Sequence, residues 1–316
     1  MTKNIQRDKV WGYLEIPGSI HNYTGKVCEN YLNTSNLLFS VKTDRISAFN
    51  EVLPVLIPHK GEILNRISNA QFEAIRDSGI ITPWTIANAG FDRVSIGLYC
   101  DPIMLEIVLR AYIAGSMWKA YYEEGRRKFW GVILPDGLKE NDKLPHVMLT
   151  PTLKSEADEE VTEEQILRYG IVNPGLWKEI KETSFKLFEF GSKQAEKKNL
   201  ILVDTKYEFG KGPNSLIAID ELHTPDSSRY FYKDSYEALE DKSKARHLSK
   251  EFVRKWLKDH GFEGGLNEVV PYMDENFANE ISARYQELYE NFMGEKFYPT
   301  NMSPYTITQR LIEYAV

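Results

Sequence analysis

One strand–turn–strand pattern, over residues 200–229, constrains the fold of this chain more than any other stretch. It reads LILVDTKYEFGKGPNSLIAIDELHTPDSSR. Its first ten residues alternate with a period of two, so that one face carries Ile201, Val203, Thr205, Tyr207 and Phe209, and the other carries Leu202, Asp204, Lys206 and Glu208. The turn residues GKGPNS then precede a returning strand over residues 216–220. The pattern predicts an antiparallel hairpin with Glu208 and Asp220 near the same end.

The charged residues at that end of the hairpin suit a site for a metal ion and a phosphate. Glu208 and Asp220 offer two carboxylates, and Mg²⁺ is usually held by one or two carboxylates together with substrate phosphates. Lys206 lies on the same face as Glu208, where its ammonium can neutralise a phosphate oxygen. The alternative is an ordinary half-exposed hairpin with a charged outer face, because any half-buried strand alternates.

The segment that follows the hairpin, HTPDSSR at residues 223–229, is dense in hydrogen-bonding groups. Pro225 fixes one backbone angle, and four polar residues follow it directly: Asp226, Ser227, Ser228 and Arg229. An arginine and two hydroxyls after a turn can hold a phosphate or a carboxylate.

Composition excludes several classes of protein. With 316 residues and 42% hydrophobic content, the chain can bury one large core or two lobes. A net charge of −7 argues against a nucleic-acid-binding protein. The two cysteines, Cys28 and Cys100, give no disulfide framework, which suits a reducing cytoplasm. No signal-peptide core and no run of about 18 apolar residues occurs, so we expect a cytoplasmic protein that does not enter membranes.

Two other segments carry candidate anion-binding residues. Gly25 and Lys26 form a weak phosphate-loop signal, because neither GxxxxGK[ST] nor GxGxxG occurs; a hairpin turn with a solvated lysine is the alternative. A strand over residues 104–113 places Glu106 and Arg110 on the same face, and Arg110 either pairs with Glu106 or shares an anion with the small-residue turn that follows it. That turn opens a helix with Ser116 as its candidate N-cap.

The remaining periodicity predicts mainly helices after residue 60. Helices are expected over residues 62–77, after the capping box at Thr162, from residue 174 to about 198, over 249–261, over 274–293, and from Pro304 onward. Residues 80–101 read as further strands of a first lobe, and residues 134–151 read as a loop. The charged stretch around Lys154 and Asp158 continues that loop.

Six stretches together carry a resemblance to a known family. They read GKVCENY, TDRISAFNEVLPVLIPHKGEILNRIS, LRAYIAGSMWKAY, LTPTLKSEADEEVT, LVDTKYEFG and IDELHTPDSSR. In this order and spacing the chain resembles the phosphoribosylaminoimidazole-succinocarboxamide synthase (SAICAR synthetase) family over residues 12–295. The resemblance implies an α+β fold: a β-rich, kinase-like N-terminal lobe, a larger α+β C-terminal lobe, and an ATP cleft between the two. The divisions expected are 1–103 for the first lobe, 104–265 for the lobe with the substrate and metal site, and 266–316 for a C-terminal helical extension.

The resemblance also implies an activity, namely the ATP-dependent joining of L-aspartate to carboxyaminoimidazole ribonucleotide (CAIR), through an acyl phosphate, with release of ADP and phosphate. ATP and Mg²⁺ are the cofactors and these small molecules are the partners, for a monomer or a homodimer. Carried over position by position, the implied roles are ATP binding by Gly25, Lys26, Glu106 and Lys206; metal binding by Glu208 and Asp220; ribonucleotide binding by Arg110, Ser116, Asp226, Ser227 and Arg229; and catalysis by Lys154, Asp158 and Lys206.

Four positions depart from the family pattern. Cys28 stands where the family has arginine or lysine, so that either phosphate binding by this turn is weaker or Lys42 or Arg45 supplies the missing cation. Asn50 replaces an aspartate, Ala111 a glycine, and Ala157 a histidine. Two rival functions therefore stay open: an ATP-dependent kinase or ligase for another anionic small molecule, and a nucleotide-binding regulator without catalysis.

Overall fold

The structure is a computed structural model that describes residues 16, 18–86, 91–155, 158–212, 215–248, 250–265, 267–300 and 302–315. Over these ranges the chain forms fifteen strands: β1 (Ser19–Thr24), β2 (Cys28–Asn33), β3 (Leu37–Lys42), β4 (Arg45–Ala48), β5 (Glu51–Leu56), β6 (Thr82–Pro83), β7 (Val94–Leu98), β8 (Asp101–Pro102), β9 (Leu105–Tyr112), β10 (Lys128–Phe129), β11 (Val132–Ile133), β12 (Lys143–Leu153), β13 (Leu200–Lys211), β14 (Leu216–Ile219) and β15 (Ser228–Tyr232). The same ranges form eight α-helices: α1 (Lys60–Ser78), α2 (Gly115–Tyr122), α3 (Glu163–Arg168), α4 (Pro174–Glu196), α5 (Lys233–Ala238), α6 (Glu251–Asp259), α7 (Glu275–Met293) and α8 (Pro304–Ala315).

The chain divides into two compact units that are not continuous in sequence. Unit 1 takes the described residues of 1–73, 84–99 and 250–316, and unit 2 takes those of 74–83 and 100–249. Mostly antiparallel sheets and separate helices make up the chain, so the predicted α+β class is confirmed. The three-part division after residues 103 and 265 stays a prediction. In the described part of the chain, every helix is too short or too polar to cross a membrane.

Unit 1 is built on a four-stranded antiparallel sheet in the order β1–β2–β3–β7. Alternate residues of these strands, among them Tyr31, Phe39 and Ile96, form an apolar core. Ile307 and Leu311, four residues apart on α8, complete that core, as expected for one face of an amphipathic helix. The separate β4–β5 hairpin belongs to the same unit.

Unit 2 is built on a seven-stranded sheet around β13. The order is β12–β9–β13–β14–β6, and β8 and β15 also pair with β13. Because strands lie on both sides of it and α4 packs against it, β13 is buried on both faces except at Ile201, Lys206 and Lys211. The alternative of a half-exposed hairpin is therefore wrong. The predicted inner stripe of α4 is confirmed by Trp177, Ile180, Leu187, Phe188, Gly191 and Ala195, all of them buried.

The predicted loop over residues 134–151 is wrong, because an eleven-residue strand, β12, begins at Lys143. Two prolines, Pro145 and Pro151, concealed this strand in the sequence. Its place at the end of the sheet order explains them, since an edge strand tolerates residues without an N–H donor. The pairing with β9 also shifts register between Lys143 and Met148, the interval that contains Pro145.

Two smaller expectations are also corrected. Ser116 is not an N-cap: α2 begins at Gly115, with Ala114 as the cap residue and no side-chain cap hydrogen bond. Residues 82–83 are not a strand of the first lobe, because β6 pairs in parallel with β14 inside unit 2. The proposed helix start at Ser249 and the turn residues Pro213 and Asn214 lie outside the described residues.

The helix boundaries with strong local signals are confirmed. The side chain of Thr162 accepts from the Gln165 backbone N–H while the Gln165 side chain accepts from the Thr162 N–H, which is the predicted capping box. Asp274 caps α7 by accepting from the N–H of Phe277 at 2.8 Å. The stop glycine at 294 has a left-handed φ of 74°, a conformation that glycine adopts without strain.

Candidate active site

Five charged residues of unit 2 form one connected group, which we call the lysine–carboxylate cluster: Glu106, Lys154, Lys206, Glu208 and Asp220. The ammonium of Lys206 lies at its centre. It donates to Glu106 Oε1 at 3.2 Å, to Asp220 Oδ2 at 3.3 Å and to Glu208 Oε1. Lys154 donates to the other oxygen of Glu208.

Strand geometry explains why these residues meet. Lys206 and Glu208 are two residues apart on β13 and therefore lie on the same face. In the β13–β14 ladder Glu208 is opposite Ile219, the last residue of β14, so Asp220 comes directly after the end of the neighbouring strand. Asp220 is left-handed, with a φ of 65°, a conformation in which aspartate is enriched among non-glycine residues. The structure thus brings the two carboxylates of the predicted hairpin to one lysine.

The electrostatics of the cluster keep Lys206 charged. Burial alone lowers the pKa of a lysine, but the carboxylates of Glu208, Asp220 and Glu106 outweigh burial here and raise the pKa of Lys206 well above its ordinary value. Three carboxylates face two ammonium groups, so the cluster has a formal charge of one negative unit. A site with this excess suits an additional cation.

The donor types in the cluster fit Mg²⁺, which takes carboxylate oxygens and completes its shell with water and phosphate oxygens. In the described part of the chain, however, no group of three or more His, Cys, Asp or Glu side chains is arranged to hold a metal ion. The carboxylates of Glu106, Glu208 and Asp220 converge on the Lys206 ammonium instead. Any ion here would thus depend on one or two carboxylates and on ligands that a substrate brings.

A second charged group lies on the same strand, around Asp204. Arg110 Nη1 donates to Asp204 Oδ2 at 3.2 Å, and Arg229 donates to the same oxygen. Arg110 also donates through Nε to Thr150 Oγ1 at 3.1 Å. Arg110 thus has Asp204 and Thr150 as partners, while Glu106 is engaged by Lys206; that Arg110 binds an anion of the substrate stays a prediction.

Asp204 is the residue of this site that the sequence did not single out. The alternation had placed Asp204, Lys206 and Glu208 on one face of the strand, and that was the available signal. Only burial shows why Asp204 belongs to the site. Asp204 and Glu208 are 4% and 5% exposed, and a buried carboxylate needs a charged partner.

The loop over residues 223–227 and the first two residues of β15 are held to β13 by hydrogen bonds of their own polar residues. The Ser227 hydroxyl accepts from the Thr224 N–H at 3.1 Å, and the Ser227 carbonyl accepts from the Lys206 N–H at 2.9 Å. The Ser228 hydroxyl donates to Thr205 Oγ1 at 2.8 Å. The backbone N–H of Asp226 donates to Thr224 Oγ1 at 3.2 Å. These bonds fix the backbone positions from which Asp226 and Arg229 project.

His223 anchors the start of this loop in the interior. It is fully buried, its Nε2 lies 2.8 Å from the hydroxyl of Tyr207, and its carbonyl accepts from the Tyr230 hydroxyl at 3.0 Å. Gly191 on α4 lies so close that a Cβ there would be 2.6 Å from the His223 Nε2. Burial lowers the pKa of His223 to about 3, so the imidazole is neutral.

This buried histidine predicts a loss of stability in acid. The unfolded chain protonates His223 near its ordinary pKa of about 6.5, whereas the folded chain resists protonation down to about 3. The contribution of His223 to the free energy of unfolding is thus complete above about pH 6.5 and decreases as the pH falls toward 3. Between pH 7 and pH 5 we expect a loss of about 2 kcal/mol from this residue.

Urea unfolding at pH 5, 6 and 7, followed by circular dichroism, measures this loss. His223→Gln is expected to make the free energy of unfolding depend less on pH. His146→Gln, at an exposed histidine, is expected to keep the wild-type slope of this free energy against pH. Equal slopes in the wild type and in His223→Gln would contradict the prediction.

In unit 1, the turn between β1 and β2 contains Gly25 and Lys26. The N–H of Gly25 donates to the Cys28 carbonyl at 2.9 Å. The guanidinium of Arg45 donates to the carbonyls of Gly25, Lys26 and Cys28 at 3.0 to 3.1 Å and pairs with Glu29 at 2.5 Å. Arg45 is therefore occupied in shaping this turn, and Lys42, the other cation considered as a replacement for Cys28, is 4% exposed.

The segment with Lys154 and Asp158 is only partly described. Lys154 belongs to the lysine–carboxylate cluster, as stated above. Asp158 has a left-handed φ of 47° and donates its N–H to the Ser155 carbonyl at 3.4 Å. Glu156 and Ala157 lie outside the described residues, so the departure at Ala157 stays untested.

Comparison with known proteins finds SAICAR synthetases both by sequence and by structure. A family model described as SAICAR synthetase matches residues 21–269. The phosphoribosylaminoimidazole-succinocarboxamide synthase of Bacteroides thetaiotaomicron is 44% identical over 285 residues, which cover 89% of this chain and 90% of that protein. A SAICAR synthase from Saccharomyces cerevisiae, solved in complex with SAICAR, is 28% identical with a TM-score of 0.75 and covers 90% of this chain and 98% of its own. A SAICAR synthetase (type 2) solved in complex with ADP is 25% identical with a TM-score of 0.66, over 87% of this chain and 99% of its own.

Proposed function

The chain belongs to the SAICAR synthetase family, and from this we propose that it joins L-aspartate to the carboxylate of CAIR at the expense of ATP, giving SAICAR, ADP and phosphate. The observation that carries this proposal is the polar face of β13. There Asp204, Lys206 and Glu208 lie in one row and connect two arginines, one further lysine and two further carboxylates. A row of this kind places arginines, lysines and carboxylates together, and these are the residue types that hold phosphates, carboxylates and Mg²⁺.

The charges of the row suit an acyl transfer through a phosphorylated carboxylate. A carboxylate becomes a good electrophile only when one oxygen is converted into a leaving group, which transfer of the terminal phosphoryl group of ATP to CAIR achieves. Lys206 and Lys154 hold positive charge next to Glu208, where they stabilise the negative charge of the transferring group. The aspartate amine then forms the C–N bond and phosphate leaves.

The other site residues are assigned to Mg²⁺, to ATP, to the reacting groups and to the ribonucleotide. Glu208 and Asp220 would hold Mg²⁺, which when bound neutralises phosphate charge. Gly25, Lys26 and Glu106 are assigned to ATP, and Asp158 with Lys154 to the reacting groups. Arg110 and Arg229 would hold the anionic ribonucleotide with Ser116, Asp226 and Ser227. The ADP and SAICAR complexes of the relatives support nucleotide and ribonucleotide binding by this family.

A coupled ADP-release assay with ATP, Mg²⁺, L-aspartate and CAIR tests the proposal, with each component omitted in turn. Turnover that requires all four is the expected result. ADP release without aspartate would indicate a kinase, and ATP binding without release would indicate a regulator. Size-exclusion chromatography with light scattering decides between the monomer and homodimer, and fractionation of the source cell tests the proposed cytoplasmic location.

Gly115 offers a test of the ribonucleotide assignment in which no charged residue is substituted. Its φ of 58° is left-handed, and a Cβ at this position would overlap the guanidinium of Arg229. Gly115→Ala is therefore expected to displace Arg229 and raise KM for CAIR about tenfold, with KM for ATP unchanged.

Gly125→Ala is the matched control for this change. Gly125 has a φ of 65°, so alanine meets the same backbone strain, but nothing lies within 4 Å of the added Cβ. The control is expected to keep the wild-type KM for CAIR. An equal rise in both variants would mean that strain, not the position of Arg229, explains the effect.

A further inference from the structure

The tip of the β4–β5 hairpin has an unusual backbone. Ala48 pairs with Glu51, so only Phe49 and Asn50 form the loop, and their φ angles are 52° and 64°. Two consecutive left-handed residues are the mark of a type I′ turn, which strongly favours Asn and Gly. Asn50 suits this turn, whereas a bulky residue such as Phe49 adopts the conformation only when its surroundings enforce it.

The surroundings of Phe49 do enforce it. The ring of Phe49 meets that of Phe262 edge to face, with centroids 6.2 Å apart. The backbone of Gly264 lies directly on the tip, because a Cβ at this glycine would be 2.8 Å from the Phe49 Cβ and 3.0 Å from its carbonyl oxygen. The hairpin tip is thus held in one place by packing within unit 1.

From this fixed position the hairpin contacts the turn between β1 and β2 that contains Gly25 and Lys26, which we call the glycine turn. It binds both the backbone and a side chain of that turn. Arg45, at the first position of β4, donates to the turn carbonyls. Asn50, at the tip, accepts from the Lys26 ammonium through Oδ1 at 2.7 Å. One hairpin therefore sets the shape of the turn and the place of its exposed lysine.

The charges of the turn are balanced except at Lys26. Arg45 is paired with Glu29, which also accepts from Thr24 at 2.6 Å. A Cβ at Gly25 would lie 3.0 Å from the Cys28 Sγ, so the side chain at position 28 packs against the turn and brings no ammonium or guanidinium group to it. Among the described residues, no carboxylate lies within ion-pairing distance of Lys26, and its acceptor Asn50 is neutral. Lys26 is thus the uncompensated positive charge at this turn.

We propose that Asn50 is a positioning residue, which holds the Lys26 ammonium at the tip of the β4–β5 hairpin through a neutral acceptor and so keeps its full charge for the phosphates of ATP. This inference rests on the proposed function, in which Lys26 binds ATP.

Asn50→Asp tests the inference with almost no change of shape, since aspartate also tolerates the left-handed backbone. The new carboxylate would pair with Lys26 and repel phosphate. We expect Kd and KM for ATP to rise about five- to tenfold, with kcat changed less than about twofold. Isothermal titration with ATP gives Kd independently of turnover. Asn36→Asp is the matched control, because Asn36 is also exposed and left-handed, with a φ of 61°, and is expected to leave both constants unchanged.

Three further variants separate the inference from the function on which it rests. Lys26→Ala alone is expected to weaken ATP binding; an unchanged Kd would refute the role of Lys26 itself. In the Lys26→Ala background, Asn50→Asp is expected to have no more than about a twofold additional effect, as a coupled pair requires. Cys28→Lys is expected to restore ATP binding in the Asn50→Asp chain. If Lys26→Ala weakens binding but Asn50→Asp does not, or acts equally without Lys26, the inference about Asn50 is overturned.

Discussion

Asp220→Asn is expected to lower kcat about 100-fold or more, because it removes one of the two carboxylates proposed to hold Mg²⁺. The change keeps the volume of the side chain. It also leaves no buried charge without a partner, since Lys206 keeps Glu106 and Glu208 as acceptors. We therefore expect a folded protein with little turnover, and a higher Mg²⁺ concentration at half-maximal rate.

The ADP-release assay over a Mg²⁺ titration measures both effects, and thermal unfolding checks the fold. Asp136→Asn is the matched control, because the Asp136 side chain is 89% exposed and is paired with Arg127 on the surface. It is expected to behave as the wild type. Near-normal turnover in Asp220→Asn would place the metal elsewhere and leave Asp220 as a structural partner of Lys206.

Arg229→Ala is expected to raise KM for CAIR about 30-fold or more, because charge-assisted hydrogen bonds to an anion are worth about 2 kcal/mol. The Arg229 guanidinium donates to Asp204, and its planar fork can also hold a carboxylate or a phosphate by two parallel hydrogen bonds. After the substitution Asp204 keeps Arg110 as its partner, so its buried charge stays compensated. The fold is therefore expected to persist while ribonucleotide binding weakens.

Initial rates at varied CAIR and varied ATP separate the two constants. Arg229→Lys, which keeps the charge but not the planar fork, is expected to recover only part of the affinity. Arg168→Ala, at an exposed arginine in the last turn of α3, serves as the surface control. If KM for ATP rose while KM for CAIR stayed constant, the division of residues between nucleotide and ribonucleotide would be wrong.

Elements with local signals were predictable from the sequence. The capping box at Thr162, the cap at Asp274 and the stop at Gly294 involve residues within four positions of one another, so their physics is contained in a short stretch of chain. The same holds for the hairpin that brings Glu208 and Asp220 together, because a short turn joins its strands. The row of polar residues on β13 follows from period-two alternation alone.

Partners that lie far apart in the chain were not predictable in this way. Arg110 and Asp204 are 94 residues apart, and Lys154 and Glu208 are 54 apart, so their pairing depends on which strands become neighbours in the sheet. Strand β12 escaped prediction for a related reason, because its prolines are tolerated only at a sheet edge.

The sequence by itself thus determined the α+β class, most helices and the charged residues available to a site. The tertiary structure alone decided that Asp204 pairs with two arginines, that Arg45 binds the carbonyls of the glycine turn and that Asn50 accepts a hydrogen bond from Lys26. Short-range hydrogen bonds and periodicity are encoded within a few residues. The choice of a distant partner depends on burial, since a charge requires a particular counter-charge only after the fold has removed it from water.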